Sequence, residues 1–158
     1  MSRLLVESSV ASDQTPASEL AERIYNESLF GIIAFSHEKF IRCFSRTISE
    51  PSSYLGLKAH LDGQIIGFCY AIAGEYFTGD GAKVATVIAF ATGNSSRSAM
   101  LAGKAAFSLT AGIKRWAEKV QADLIMFHVT SAANVTRSDR FFRRLGMKTL
   151  GGNYVSKV

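Results

Sequence analysis

The residues most able to do chemistry lie where an apolar, β-branched segment, 83–92, gives way to a polar turn and then to a long helical pattern. A helix start presents backbone N–H groups without intrahelical partners and a partial positive charge, which together suit an anion such as a pyrophosphate. Asn94, Ser95, Ser96 and Ser98 are small or capping residues that would leave room for one, and Arg97 and Lys104 add positive charge nearby. Read locally, the same residues also make an ordinary helix cap, and both readings stay open. Other chemistry is poorly represented. His37, His60, His128, Cys43 and Cys69 lack metal-ligand spacing. There is no Gly-x-Ser-x-Gly elbow and no phosphate loop ending in Gly-Lys-Ser/Thr. Arg137, Arg140, Arg143 and Arg144 fall largely on one side of a short helix and could grip phosphates, but no interleaved aromatics mark a base-stacking platform, so a solvated face is favoured over nucleic acid.

The elements that must position these residues follow from apolar spacing. Leu4 to Val6 reads as a short strand. Thr15 reads as an N-cap with Pro16 at the first helical position, and Leu20 and Ile24 on the apolar stripe. A second helix runs from about Ser36 to Ile48, with Phe40, Ile41 and Phe44 inward. Leu55, Leu57, Ala59 and Leu61 alternate with Tyr54, Gly56, Lys58 and His60, and Asp62-Gly63 predicts a tight hairpin turn. The return strand, Gln64 to Ala73, is almost wholly apolar and should be central in the sheet. A loop at 74–81 leads into a strand at 83–92. Leu101, Ala105, Leu109, Ile113, Trp116 and Val120 recur at helical spacing, the strongest such signal in the chain. Asp123 to Thr130 reads as a buried strand, Arg137 to Leu145 as a short helix stopped by Gly146, and Met147 to Val158 as a closing strand or hairpin. Antiparallel hairpins followed by strand–helix–strand crossovers give an α/β fold: a mixed, largely antiparallel sheet in one three-layer domain spanning 1–158.

Composition bounds the reading. With 158 residues, 47% hydrophobic and 20% charged, the chain can bury a substantial core. No apolar run approaches the ~18–20 residues that span a bilayer, and the start, Met1-Ser-Arg-Leu-Leu-Val-Glu, lacks a signal-peptide pattern. The two cysteines read as buried thiols in a reducing compartment, so the expected location is cytoplasmic. Net charge is +5, but it divides unevenly: residues 1–96 hold seven Lys/Arg against ten acids, −3, and residues 97–158 hold eleven against three, +8. Such polarity draws an anion to the C-terminal half. A phosphorylated cofactor, nucleic acid, an acidic protein surface or solvent alone would each fit.

The order of elements and two motifs resemble the GNAT superfamily, the acyl-coenzyme-A-dependent N-acyltransferases. In that family a strand is followed by Arg/Gln-x-x-Gly-x-Gly/Ala and a long helix. Here the matching residues are Arg97-Ser98-Ala99-Met100-Leu101-Ala102, followed by Gly103-Lys104, with Met100 in the place of the first glycine. The family's last motif, an Asn after the next strand and then a helix ending aromatic-x-x-x-Gly-aromatic, matches Asn134 and Phe142-Arg-Arg-Leu-Gly146-Met147, leading to Tyr154. The stretches Trp116-Ala117, His128-Val-Thr130 and Phe141-Phe-Arg-Arg-Leu-Gly-Met147 are similar to short acetyltransferase-like proteins encoded by tailed bacteriophages.

The resemblance implies that acetyl-coenzyme A, or coenzyme A, crosses a sheet splayed between strands 83–92 and 123–130. Backbone groups of Phe90, Ala91 and Thr92 would hold the arm and the acyl carbonyl. Amides from Arg97 through Ser98, Ala99, Met100, Leu101 and Ala102 to Gly103, beside Lys104, would hold the pyrophosphate, and Asn134 would touch the pantetheine. The acyl group would pass to an amine on a small molecule or protein. Phe142 stands four residues before Gly146, where many members carry the tyrosine that protonates the departing thiolate, and strand 83–92 holds no Asp, Glu or His to serve as base. Glu75 and His128 are the candidate substitutes for the base and Tyr154 for the acid; a solvated Glu, a core His and a packing Tyr are their plain alternatives. A GNAT-fold structural or interaction protein without turnover, for instance a phage particle component or a homo-oligomer, is the rival reading.

Overall fold

The computed structural model describes residues 3–76, 78–92, 99–128, 135–151 and 156. Among them five strands form one sheet in chain order: β1 (Leu4–Ser8), β2 (Tyr54–Leu61), β3 (Gln64–Glu75), β4 (Lys83–Thr92) and β5 (Leu124–Phe127). The first four pair antiparallel and β4 pairs parallel with β5. Four α-helices join them: α1 (Gln14–Asn26), α2 (His37–Ser49), α3 (Ala99–Lys119) and α4 (Val135–Arg144).

The β2–β3 hairpin turns on Asp62 and Gly63, at φ 50° and 80°, both left-handed as a two-residue turn matched to strand twist requires. Alternation then divides β2 between two layers. Leu55, Leu57, Ala59 and Leu61 are buried with Ala105, Leu109, Ile113 and Trp116 of α3, the stripe expected from spacing. α3 lies so close that a Cβ built on Gly112 would stand 2.6 Å from Leu57 Cδ1. On the opposite face Gly56 receives Thr47 of α2, again within 2.7 Å of a built Cβ, and α1 packs nearby on β3. The layers are α3, the sheet, and α1 with α2.

Several boundaries and orientations differ from expectation. α1 begins at Gln14, not at a Thr15 cap, because Asp13 closes a 3-10 turn over Ala11–Asp13 and its carboxylate accepts from Val10 N at 2.8 Å. Pro16 remains in the first helical turn, where a missing N–H costs nothing. Ser36 caps α2 as expected, its Oγ accepting from Lys39 N at 3.3 Å. Phe44 and Phe40 turn inward, but Ile41, one ~100° step round the helix from Phe40, is 41% exposed. Cys69 is buried and its thiol is pushed up to about 12 by burial, whereas Cys43 is exposed. β5 is an edge strand among the described residues, with Leu124 63% exposed, not a buried strand.

α4 ends as Gly146 predicts: at φ 78°, Gly146 N donates to Arg143 O and Met147 N to Phe142 O, the paired bonds of a left-handed helix cap. Met147 to Leu150 is not a strand. Thr149 Oγ1 is bonded to Asp139 and Arg143, which ties this stretch to α4. Residues 152–155 lie outside the described residues.

Candidate functional site

β4 and β5 run side by side from their N-terminal ends. There Lys83 N donates to Asp123 Oδ2 and Asp123 N donates back to Lys83 O, each at 2.8 Å. Lys83 Nζ adds a bond to Val120 O at 2.8 Å. Among the described residues pairing then runs from Val84↔Leu124 to Val87↔Phe127, and His128 N donates to Val87 O. β4 continues to Thr92, so among the described residues its 88–92 edge has no strand partner on the β5 side.

A bulge lies just beyond the last of these pairs. Ala71 faces Val87 and Tyr70 faces Ala89, so Ile88 is an extra residue in β4. A bulge bends a strand and increases its twist. Directly opposed residues of an antiparallel pair share a face. Ala89 opposite Tyr70 and Ala91 opposite Phe68 therefore share one face, while Phe90 opposite Cys69 packs toward the α3 core. Two alanines keep this face low.

Above that floor is a cavity of about 590 Å³, roofed by α1, α2 and the segment between them and bounded at one end by Phe127, His128, Ser138 and Phe142. Four consecutive β4 residues, Ile88 to Ala91, line it, as happens where a strand offers its edge as well as one face. Phe142 makes tilted ring contacts with Phe127 and Phe90 at centroid separations of 4.6 and 6.1 Å. The phenol of Tyr70 is raised above its ordinary value by burial and by its hydrogen bond with the Cys43 thiol. Among the described lining residues the basic side chains are Lys39, Lys58 and His128; none is Asp or Glu. Lys58 Nζ is held by Asp13 Oδ1 at 2.8 Å.

The first turn of α3 carries no acidic residue to offset its positive end. Ala99 and Lys104 are exposed and Leu101, Ala102 and Gly103 half-buried. Met100 is 67% exposed, pointing to solvent. A Cβ built on Gly103 meets nothing within 4 Å.

The structure thus brings Phe90, Ala91, His128 and Phe142 to one cavity, with Thr92 at the end of the same strand. Glu75 does not join them. It pairs with Lys83 at the start of β4, about 16 Å along the strand from Ile88 at ~3.3 Å per residue. Arg97, Ser98, Asn134 and Tyr154 lie outside the described residues. Sequence reasoning missed Tyr70, Phe68, Lys58 and the α1–α2 aromatics, because near-continuous apolarity in β3 hides which residues face the cavity and which the core. Among the described residues no cluster of His, Cys, Asp and Glu could hold a metal ion, and no helix is long and apolar enough to cross a membrane. Of the arginine cluster, Arg143 is engaged by Asp139 at 2.8 Å.

The sequence matches no protein-family model and no curated protein. Solved structures do match. The aminoglycoside N-acetyltransferase AAC(6')-Iy, in complex with the bisubstrate analogue CoA-S-monomethyl-acetylneamine, superposes with TM-score 0.74 at 13% identity, covering 99% of this chain and 98% of that one. Glucosamine-6-phosphate N-acetyltransferase from Arabidopsis thaliana gives 0.70 at 13% identity, covering 98% of each chain. Ribosomal-protein-alanine N-acetyltransferase from Brucella melitensis gives 0.70 at 12% identity, covering 98% of this chain and 99% of that one. A likeness over nearly the whole of each chain at such low identity is one of architecture: this chain has the mixed-sheet GNAT fold of those acetyltransferases.

Proposed function

We propose that this chain is an acyl-coenzyme-A-dependent N-acyltransferase, with acetyl-coenzyme A as donor and an amine as acceptor. The observation that carries the reading is that, among the described residues, the β4–β5 ladder runs no further than Val87 and Phe127, while β4 runs on to Thr92 over a low floor of Ala89 and Ala91. An extended, amide-bearing pantetheine arm fits such an edge, since it can pair with backbone groups of 88–92 that have no strand partner on the β5 side among the described residues, as a strand would. Bound there, the thioester would supply an activated acyl group. Phe90, Ala91 and Thr92 would orient that group through their backbone, and Phe142 with Phe127 would keep water from it. The backbone amides from Arg97 to Gly103, with Lys104, would bind the pyrophosphate, and Asn134 the arm. The main contribution of the protein is then proximity and orientation. His128 lines the same end of the cavity.

Ligand stabilisation tests this reading. Acetyl-coenzyme A at a hundredfold its dissociation constant should raise the unfolding free energy by ~2.7 kcal/mol, seen as a shift in the thermal midpoint. No shift at millimolar ligand would overturn it. A shift with no thiol release across an amine panel would favour a silent GNAT-fold interaction protein, the reading that Phe142 in the acid position supports. Gly103→Ala should stabilise the free protein by ~1 kcal/mol, because the added methyl meets no neighbour and glycine is a poor helix former. If backbone amides grip the pyrophosphate there, the same variant should weaken coenzyme A binding in a titration. Phe142→Tyr should raise kcat by about tenfold or more if thiolate protonation limits the rate; an unchanged kcat would exclude that limitation.

A further inference from the structure

We propose that the acceptor is an aromatic amine of low basicity, an aniline-type nitrogen that is already unprotonated at neutral pH. The inference rests on the acyltransferase reading and comes from the cavity wall. Tyr25, Phe35, Phe40 and Phe44 run along it in a chain of ring contacts at 5.5, 6.0 and 6.0 Å, and Phe68 lies among the floor residues. Flat rings fit such a wall by edge and offset contacts.

Charge narrows the choice further. None of the described lining residues is Asp or Glu, and the undescribed stretches contain neither residue. Asp13, bonded to Lys58 from behind the wall, already has its charge matched. An alkylammonium ion entering this cavity would lose water, meet Lys39 and His128, and find no counter-charge. With a pKa near that of lysine, only ~0.04% of such an amine is neutral at pH 7, and no carboxylate is present to deprotonate it. An aniline nitrogen, its lone pair delocalised into the ring, avoids both difficulties. That lone pair forms the new C–N bond to the acyl carbon while the C–S bond breaks toward sulfur. The proton shed by nitrogen ends on sulfur, leaving amide and free thiol.

Calorimetric titration of the donor-free protein at pH 7 with 4-methylaniline, benzylamine and spermidine tests the ligand class directly. 4-Methylaniline should bind at least about tenfold more tightly than either cation. With acetyl-coenzyme A, its kcat/KM should be flat from pH 6 to 9, whereas that of benzylamine should climb about tenfold per pH unit below its own pKa. Phe40→Glu, checked for folding by circular dichroism, should reverse the binding preference. The wild-type titration decides the matter even if that variant fails to fold. Tighter binding or faster acylation of benzylamine or spermidine by the wild type would overturn the proposal, as would saturable binding of long-chain acyl-coenzyme A that excludes every amine. If acetyl-coenzyme A fails to bind while 4-methylaniline keeps its advantage, the acyltransferase reading falls and the ligand class stands.

Discussion

Asp13→Asn is expected to lower the unfolding free energy by about 3 kcal/mol, because it strands a largely buried ammonium. Asp13 is 8% exposed and accepts from both Lys58 Nζ and Val10 N at 2.8 Å. Burial by itself would raise the Asp13 carboxyl. The Lys58 hydrogen bond, the Val10 amide and the Lys58 charge together outweigh that effect and hold it below its ordinary value. A carboxyl depressed in the folded state stabilises fully above its unfolded pKa, ~3.9, and loses that contribution as pH falls through the lower folded value. Urea unfolding from pH 7 to pH 2.5 should therefore show a component of acid destabilisation in the wild type that Asp13→Asn lacks. Replacing both partners, Asp13→Leu with Lys58→Met, should recover much of the loss, since no charge is then buried unpaired. A double variant as unstable as the single one would mean that the Val10 bond, closing the turn before α1, is the larger contributor.

Ala89→Phe should reduce acyl transfer by about a hundredfold or more while changing the unfolding free energy by less than ~1 kcal/mol. The residue faces the cavity opposite Tyr70, one place beyond the Ile88 bulge. A benzyl group there enters open volume instead of a packed core, so folding has little to lose. It would occupy the floor over which acyl group and amine must meet, and displacement of reacting atoms by an ångström can itself cost about a hundredfold. Paired thermal melts and thiol-release rates check both halves. Wild-type turnover in a folded Ala89→Phe would show that the acyl group does not lie over this strand. A large stability loss with normal coenzyme A affinity would mean that Ala89 is packed, not open.

The parts of the fold that were legible in the sequence share a short range. The α3 stripe from Leu101 to Val120, the Asp62-Gly63 turn, the Ser36 cap and the Gly146 stop each depend on residues within a turn or two, whose spacing states the geometry outright. The limits of β4 at Lys83 and Thr92 came from composition alone. Errors arose where a distant residue intervened: Asp13, drawn to Lys58 across 45 positions, moved the start of α1, and a tie to Asp139 and Arg143 took Thr149 away from a closing strand.

The candidate site divides in the same way. Residue order alone determined that a β-branched strand leads, through small polar residues, to a basic helix start, and that no strand carboxylate accompanies it; local propensity and charge need no folded partner to be read. Tertiary structure alone decided that β4 carries a bulge at Ile88, that Ala89 and Ala91 floor a cavity walled by aromatics some fifty residues earlier in the chain, and that Glu75 lies at the wrong end of its strand. The reason is that a bulge is a mismatch in count between two strands and a cavity is space left by several elements at once, so neither is a property of any one segment.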